Sequence, residues 1–445
     1  MSTEKEYFST RVAVNIVIAN MVGTGIFTSI GFQVLPDSIP DAFTILVAWV
    51  FGGIIALFGA TAYSEVGSTF KESGGEFTFL SKLYHPVVGL ASGWVSLIVG
   101  FSAASATLAI ACAEYAFPVL QAFGVQTERS SVVVVVAGFL VSLITIIQLI
   151  GVRTTSLFQN LFTGLKIFLL ILLISIPVYM YVNGSIELPN LTPTEVSWDL
   201  IFSMPFAGSL VWVMFSYSGW NASAYITENL KDPKNDLPKS LLGGTFIVTL
   251  FYLALITSFI WVCSFEEMAG MVDVGNLMFS KVLGSKAALA VPVLFTIGLL
   301  SGINAMFIAG PRLTQKMGED YETLSFLGSV SDRNVPKNAI LAQWLLCLTF
   351  VVFSNFKDIV EYVGLTLTVF SLFTVFGVFL IRKRGIGQNS VKTLGYPFTP
   401  IIFVAIHLWI IIYFALNDPL KSLAVLVTLI PAAIIYLLEK RRNKS

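Results

Sequence analysis

The sequence predicts an all-α membrane protein with twelve transmembrane helices, of which helices 1 and 6 are discontinuous. Three observations lead there. Of the 445 residues, 56% are hydrophobic and 12% charged, and the mean hydropathy is +0.83, far from the mix of a water-soluble domain. Twelve apolar stretches are long enough to span, near about 11–34, 41–70, 86–117, 130–150, 154–183, 199–230, 237–265, 285–314, 337–354, 357–381, 395–416 and 419–438. Two of them, five spans apart, carry helix-breaking residues, which points to inverted repeats (spans one to five mirrored by six to ten) with a site between the broken helices.

The first span is interrupted at Met21-Val22-Gly23-Thr24-Gly25-Ile26-Phe27. Each glycine costs a helix about 1 kcal/mol, and an unwound turn in hydrocarbon is tolerable only where it lines a cavity. The half-helix resuming near Ile26 would aim free N–H groups and a positive dipole end at an anion. Taken alone, the Gly-Thr-Gly run also suits close helix packing, and that reading is the commoner one for an isolated G-x-G. After the second span, Ser73-Gly74-Gly75 reads equally as a gate hinge or as an ordinary turn.

The fifth span contains Lys166, roughly 18 Å along the helix from Thr154. A lysine so deep faces a polar interior or snorkels to a surface, and the depth favours the interior. The sixth span carries Pro205, Gly208 and the second break, Phe215-Ser216-Tyr217-Ser218-Gly219-Trp220-Asn221. The pairing of two breaks favours a binding site over packing at both. The polar connector Thr227 to Pro238 and the long loop from Gly310 to Pro336 hold no phosphate-cradling motif, so ATP is not the energy source within this chain.

Net charge is zero, which suggests no nucleic acid partner. With the N-terminus taken as cytoplasmic, twenty basic residues fall on that side, from Lys5 and Arg11 through Arg382-Lys383-Arg384 to Lys444. Five fall on the other: Arg129, Lys281, Lys286, Lys357 and Lys421. This asymmetry puts both termini inside. Cys112, Cys263 and Cys347 lie within spans and imply no disulfide framework, and the N-terminus lacks a cleavable signal pattern.

Gly23-Thr24-Gly25-Ile26-Phe27, Ser73-Gly74-Gly75-Glu76-Phe77, Phe215 to Asn221 followed by Thr227-Glu228, and Asn235-Asp236-Leu237-Pro238 together resemble the amino acid, polyamine and organocation (APC) superfamily. Within it they are most similar to the L-type amino acid transporters (LAT) and their bacterial relatives. The resemblance covers essentially the whole chain. It implies a LeuT-type fold of five plus five helices, with residues 1–184 as first repeat, 185–384 as second, and 385–445 as two added helices and a cytoplasmic tail.

It also implies roles. The substrate carboxylate would lie on the amides around Gly23, Thr24 and Gly25, where the helix resumes at Ile26, and the ammonium on carbonyls of Met21, Phe215 and Ser218. Phe215 resembles the aromatic gate, and Trp220 and Asn221 resemble residues beside the side-chain pocket. Lys166 matches the fifth-helix lysine that stands in for a cation in sodium-independent members, bonding carbonyls of the first break. Leu299 to Ala305 lacks the adjacent hydroxyl pair of sodium-coupled relatives. Ser218 stands where relatives selective for dibasic amino acids carry aspartate. The stretch from Phe117 to Ser130 lacks the cysteine of relatives that pair with a glycoprotein, so no disulfide-linked heavy chain is expected.

The leading expectation is a sodium-independent transporter, acting as an exchanger, of neutral L-amino acids by alternating access in the plasma (inner) membrane. Amino acid substrate and membrane lipid are its expected partners, without cofactor or metal. A rival of the same class is a proton-coupled symporter titrating Lys166, Glu114 or Glu228. A channel should show a continuous polar face or charged ring, and a non-transporting amino acid sensor should add a soluble output domain; neither feature is present. An enzyme is disfavoured, because His85 and His407 fall in different segments and no nucleophile or metal cluster appears.

Overall fold

The first expected span is two helices, α1 (Thr10–Met21) and α2 (Gly25–Gln33), in a computed structural model that describes residues 9–442 apart from 36–37, 40, 202, 272–273, 288–289, 332–334, 354–355 and 418. Lys5, Arg333 and Lys444 of the charge count therefore lie outside the described residues. Ser9 caps α1 by accepting from the Val12 amide, and Val22 closes it by donating to Ile18 O. Gly23 then donates back to Met21 O at 2.8 Å, a turn too tight to propagate a helix.

The second span is α3 (Ala42–Phe70), capped by Asp41, whose carboxylate accepts from Thr44 N and Oγ1. Gly74 and Gly75, at φ +103° and +54°, turn the chain into the short α4 (Glu76–Leu83). The third span joins α5 (Pro86–Val95) to α6 (Ala104–Ala122) through a π-helical segment, Ser96–Ala103, across which Ser102 Oγ donates to Leu97 O. Then come α7 (Arg129–Ile150), α8 (Val152–Val182), the short α9 (Glu195–Leu200) and α10 (Met204–Tyr217). Beyond the second break the chain runs as a 3-10 helix, Ala222–Asn229, where the sequence pointed to continuing α-helix.

The remainder is α11 (Pro233–Val262), α12 (Phe265–Met268), α13 (Val274–Ala287), α14 (Ala290–Asp320), a 3-10 turn at Glu322–Leu327, α15 (Lys337–Phe353), α16 (Phe356–Lys383), α17 (Phe398–Asn417) and α18 (Pro419–Arg442). No β-strand occurs among the described residues. Nine of their helices are long and apolar enough to cross a membrane. The expected spans near 199–230, 285–314 and 337–354 are not among the nine: α10 stops at its break after 14 residues and α15 has 17, both short of a crossing, whereas α14, at 31 residues, has the length. The chain is a multi-pass membrane protein, and its outer faces agree. Val135, Phe139 and Ile146 of α7 and Leu423, Leu426 and Ile430 of α18 are each more than half exposed, a stripe that acyl chains cover and water does not.

Inside, α3 packs on α11 and α6 on α14; α1 packs on α11 as α10 does on α3, and α8 on α14 as α16 does on α6. The face holding the described chain ends is tied by buried charge. Glu65 of α3, wholly buried, accepts from Arg382 Nε and Nη2 at 2.9 and 3.0 Å and from Thr393 N and Oγ1 at 2.8 and 2.7 Å. The Arg382 guanidinium also covers the Tyr396 ring at 4.2 Å.

Candidate functional site

A helix that stops in hydrocarbon leaves its last carbonyls without partners. Here two side chains supply them. Lys166 of α8, 1% exposed, donates from Nζ to Ala19 O at 3.2 Å and Val22 O at 2.5 Å. Tyr252 of α11 sets its hydroxyl 2.5 Å from Met21 O and 2.9 Å from Ser216 O, between the carbonyl ends of both broken helices. On the far side of the first break the amides of Thr24, Gly25 and Ile26 find no acceptor among the described residues. One turn thus carries a negative end satisfied by a lysine and a phenol, and a positive end left for an anion.

The two breaks also touch. A Cβ at Gly25 would fall 2.7 Å from Ser216 Cα, and one at Gly219 (φ +91°) 3.0 Å from the backbone of Asn20. Ser29 Oγ lies 2.8 Å from Ser216 Oγ, holding α2 to α10. Gly25→Val is therefore expected to abolish binding by forcing α2 off α10 as well as by blocking the amides. Radiolabelled substrate binding to the purified variant checks this, and parental affinity would remove the carboxylate role from this turn.

Under the second break lies a cavity of about 80 Å3 whose wall includes Asn20, Glu76, Ser218, Trp220, Asn221 and Tyr225. Of the residues singled out in the sequence, Ser218, Trp220 and Asn221 line it. Met21, Gly23, Thr24, Gly25 and Ile26 stay at the first break, Ile26 with its side chain wholly in the core. Phe215 is half-buried at the end of α10, outside the wall of this cavity, and its carbonyl accepts from Ser218 N at 3.0 Å. The Phe215 carbonyl keeps a lone pair beyond the bond from Ser218, whereas Met21 O, expected as an ammonium acceptor, already accepts from Gly23 N and Tyr252 OH. Trp220 meets the Tyr63 ring edge-on at 4.6 Å.

Glu76 opens α4 and is 2% exposed. Its Oε1 accepts from Tyr63 OH of α3, from Asn221 Nδ2 at 3.1 Å and from Ser371 Oγ of α16 at 3.4 Å. Burial pushes the carboxyl up to about 7 against the pull of these three donors. Sequence reasoning missed Glu76 as a site residue, although it stands in the Ser-Gly-Gly-Glu-Phe run; it missed Tyr252 because nothing in the apolar run of its span marks it. Glu114 pairs with Arg129 at 2.5 Å on a partly exposed face, and Glu228 is exposed near the Gly74 turn, so neither reaches the breaks. No cluster of three or more His, Cys, Asp or Glu suited to a metal occurs among the described residues.

A family model described as amino acid permease matches residues 8–438. The chain is 26% identical over 437 residues to the serine/threonine exchanger SteT of Bacillus subtilis (strain 168), covering 97% of this chain and 96% of that one. It is 25% identical over 426 residues to the mouse b(0,+)-type amino acid transporter 1, covering 95% and 85%. Over 429 residues it is 25% identical to the mouse large neutral amino acids transporter small subunit 2, covering 94% and 78%.

Proposed function

The chain belongs to the amino acid permease family, and from this premise we propose that it is a sodium-independent exchanger of neutral L-amino acids. Its relatives are transporters and not enzymes, and it is an amino acid transporter of the APC superfamily, akin to the LAT group. The observation that carries the finer reading is the Lys166 ammonium on Ala19 O and Val22 O. A fixed cation bridging the first and fifth spans does there what a bound metal cation would otherwise do, so no coupling sodium is needed.

In this reading the twelve helices form a LeuT-type five-plus-five repeat, 1–184 and 185–384, followed by 385–445. The reciprocal packing of α3 on α11 and α6 on α14 supports it. The substrate carboxylate sits on the amides from Thr24 to Ile26, Gly23 shaping the turn with its own amide bonded to Met21 O, the substrate side chain runs toward Ser218, Trp220 and Asn221, and Phe215 closes the path as a gate. Neutral Ser218 in that wall favours neutral substrates. The protein lies in the plasma (inner) membrane with both termini cytoplasmic. Cys112, Cys263 and Cys347 are all buried and free, which suits a chain working without a disulfide-linked heavy chain.

Counterflow in proteoliposomes tests this. Unlabelled neutral amino acids inside should drive uptake of labelled serine, threonine or leucine equally in sodium and choline buffers, whereas lysine and arginine should not. Strong stimulation by a sodium gradient would overturn the role given to Lys166. Flux without counter-substrate would favour a uniporter or a channel, and binding without flux a sensor.

A further inference from the structure

The carboxyl of Glu76 has an asymmetric environment. All three of its hydrogen bonds end on Oε1, from Tyr63, Asn221 and Ser371. Oε2 accepts none from the described residues, and Glu76 forms part of the wall of the cavity under the second break. No basic side chain stands within ion-pair distance among the described residues. The donors belong to three elements: α3, the second break and α16. Tyr225, beyond the second break, and His407 of α17 line the same cavity. The facing stretch of α5 carries no titratable side chain. On α16 Tyr362 bonds Thr428, Arg382 pairs with Glu65 and Lys383 is exposed at the helix end, and on α4 itself Lys82 pairs with Glu72.

A carboxylate stripped of water and denied a cation gains most by taking a proton, and the oxygen already accepting three bonds is not the one that takes it. We propose that Glu76 is a proton-binding site of the cytoplasmic vestibule, Oε2 taking a proton from water as the cavity closes to the state seen here and returning it on opening. This rests on the alternating-access reading of the chain. It places the proton on a residue that also holds Asn221, so occupancy of the site and position of the second break change together.

The sign comes from burial. The closed state holds the carboxyl up to about 7, while an open, wetted vestibule returns it toward its ordinary 4.5. Closure therefore takes up a proton, is favoured as pH falls below 7, and loses that advantage above it. Across such a pair of values the closed-to-open ratio drops about tenfold between roughly pH 6 and 8.

Ala309, buried in the cavity wall, offers a reporter position. Ala309→Cys in the purified full chain would be labelled with a maleimide, with a free-thiol peptide supplying the reagent's own pH dependence. The corrected labelling rate should rise about tenfold between roughly pH 6 and 8, and adding Glu76→Gln should flatten it. Glu76→Asp should restore the rise with a displaced midpoint, and it serves with the parent if the Glu76→Gln variant does not fold. A flat parent profile, or a rise that Glu76→Gln leaves unchanged, overturns the proposal. Labelling uses no substrate, so a chain that labels as expected but exchanges no amino acid loses its proposed substrate and keeps its proton site.

Discussion

Lys166→Ala is expected to lower substrate affinity about tenfold or more, and the exchange rate with it. The ammonium satisfies Ala19 O and Val22 O inside the protein, and hydrogen bonds to a charged group are worth roughly 1.5–3 kcal/mol. Its removal leaves two buried carbonyls at the end of α1 facing each other's field, and the turn that presents the amides from Thr24 to Ile26 loses its anchor. Lys166→Met keeps most of the volume and should lose nearly as much, which separates charge from packing. Substrate binding and counterflow on both variants supply the measurement. A lysine that merely snorkelled would give a mild phenotype, but this side chain is 1% exposed, with no route to a surface. Accumulation driven by a pH gradient alone and lost in Lys166→Ala would instead favour proton coupling at this residue.

Glu65→Ala is expected to be the most destabilising change away from the breaks. It strips Arg382 and the Thr393 amide of a wholly buried carboxylate that accepts four hydrogen bonds. Breaking a buried ion pair from one side costs roughly 3–5 kcal/mol. Arg382 retains 30% exposure, which places the loss near the lower end, about 3 kcal/mol. A reduced midpoint of thermal unfolding in detergent reads this, and an unchanged midpoint would show that the contact carries no net stability. Glu65→Ala combined with Arg382→Met should recover part of the loss, because the less exposed of the two cations beside Glu65 goes with it, and Lys392, 3.9 Å away and about half exposed, can turn to water.

The same two sites mark how far sequence reading reaches. Lys166 is legible because hydrocarbon penalises a lone ammonium wherever it sits along a helix, so its depth alone argues for an interior partner. Glu65, equally buried, is not. It stands near a helix end, where a carboxylate is ordinary, and its partners come from more than 300 residues further along the chain. The first break lies where glycine chemistry puts it, with α1 ending at Met21 and α2 resuming at Gly25. The second break falls at Ser218 to Asn221, yet the segment beyond it is a 3-10 helix, packed against α1 and α11, and not the α-helix expected. Glu114 and Glu228, the carboxylates that the sequence offers as titrating groups, lie at surfaces; Glu76, which the sequence presents only as part of the Ser-Gly-Gly-Glu-Phe run, is the buried carboxyl in the wall of the cavity under the second break.

The sequence by itself determined the class of protein, the positions of both breaks and the inward lysine. Each depends on a local cost, apolar length against bilayer thickness, glycine against helix, or charge against hydrocarbon, that any tertiary arrangement must meet. Only the tertiary structure decided which groups meet those costs: Tyr252 between two carbonyl ends, Gly25 against Ser216, and Tyr63, Asn221 and Ser371 on one oxygen of Glu76. These partners converge from spans far apart in the chain, and the packing of whole helices, which no local pattern encodes, brings them within a hydrogen bond of one another.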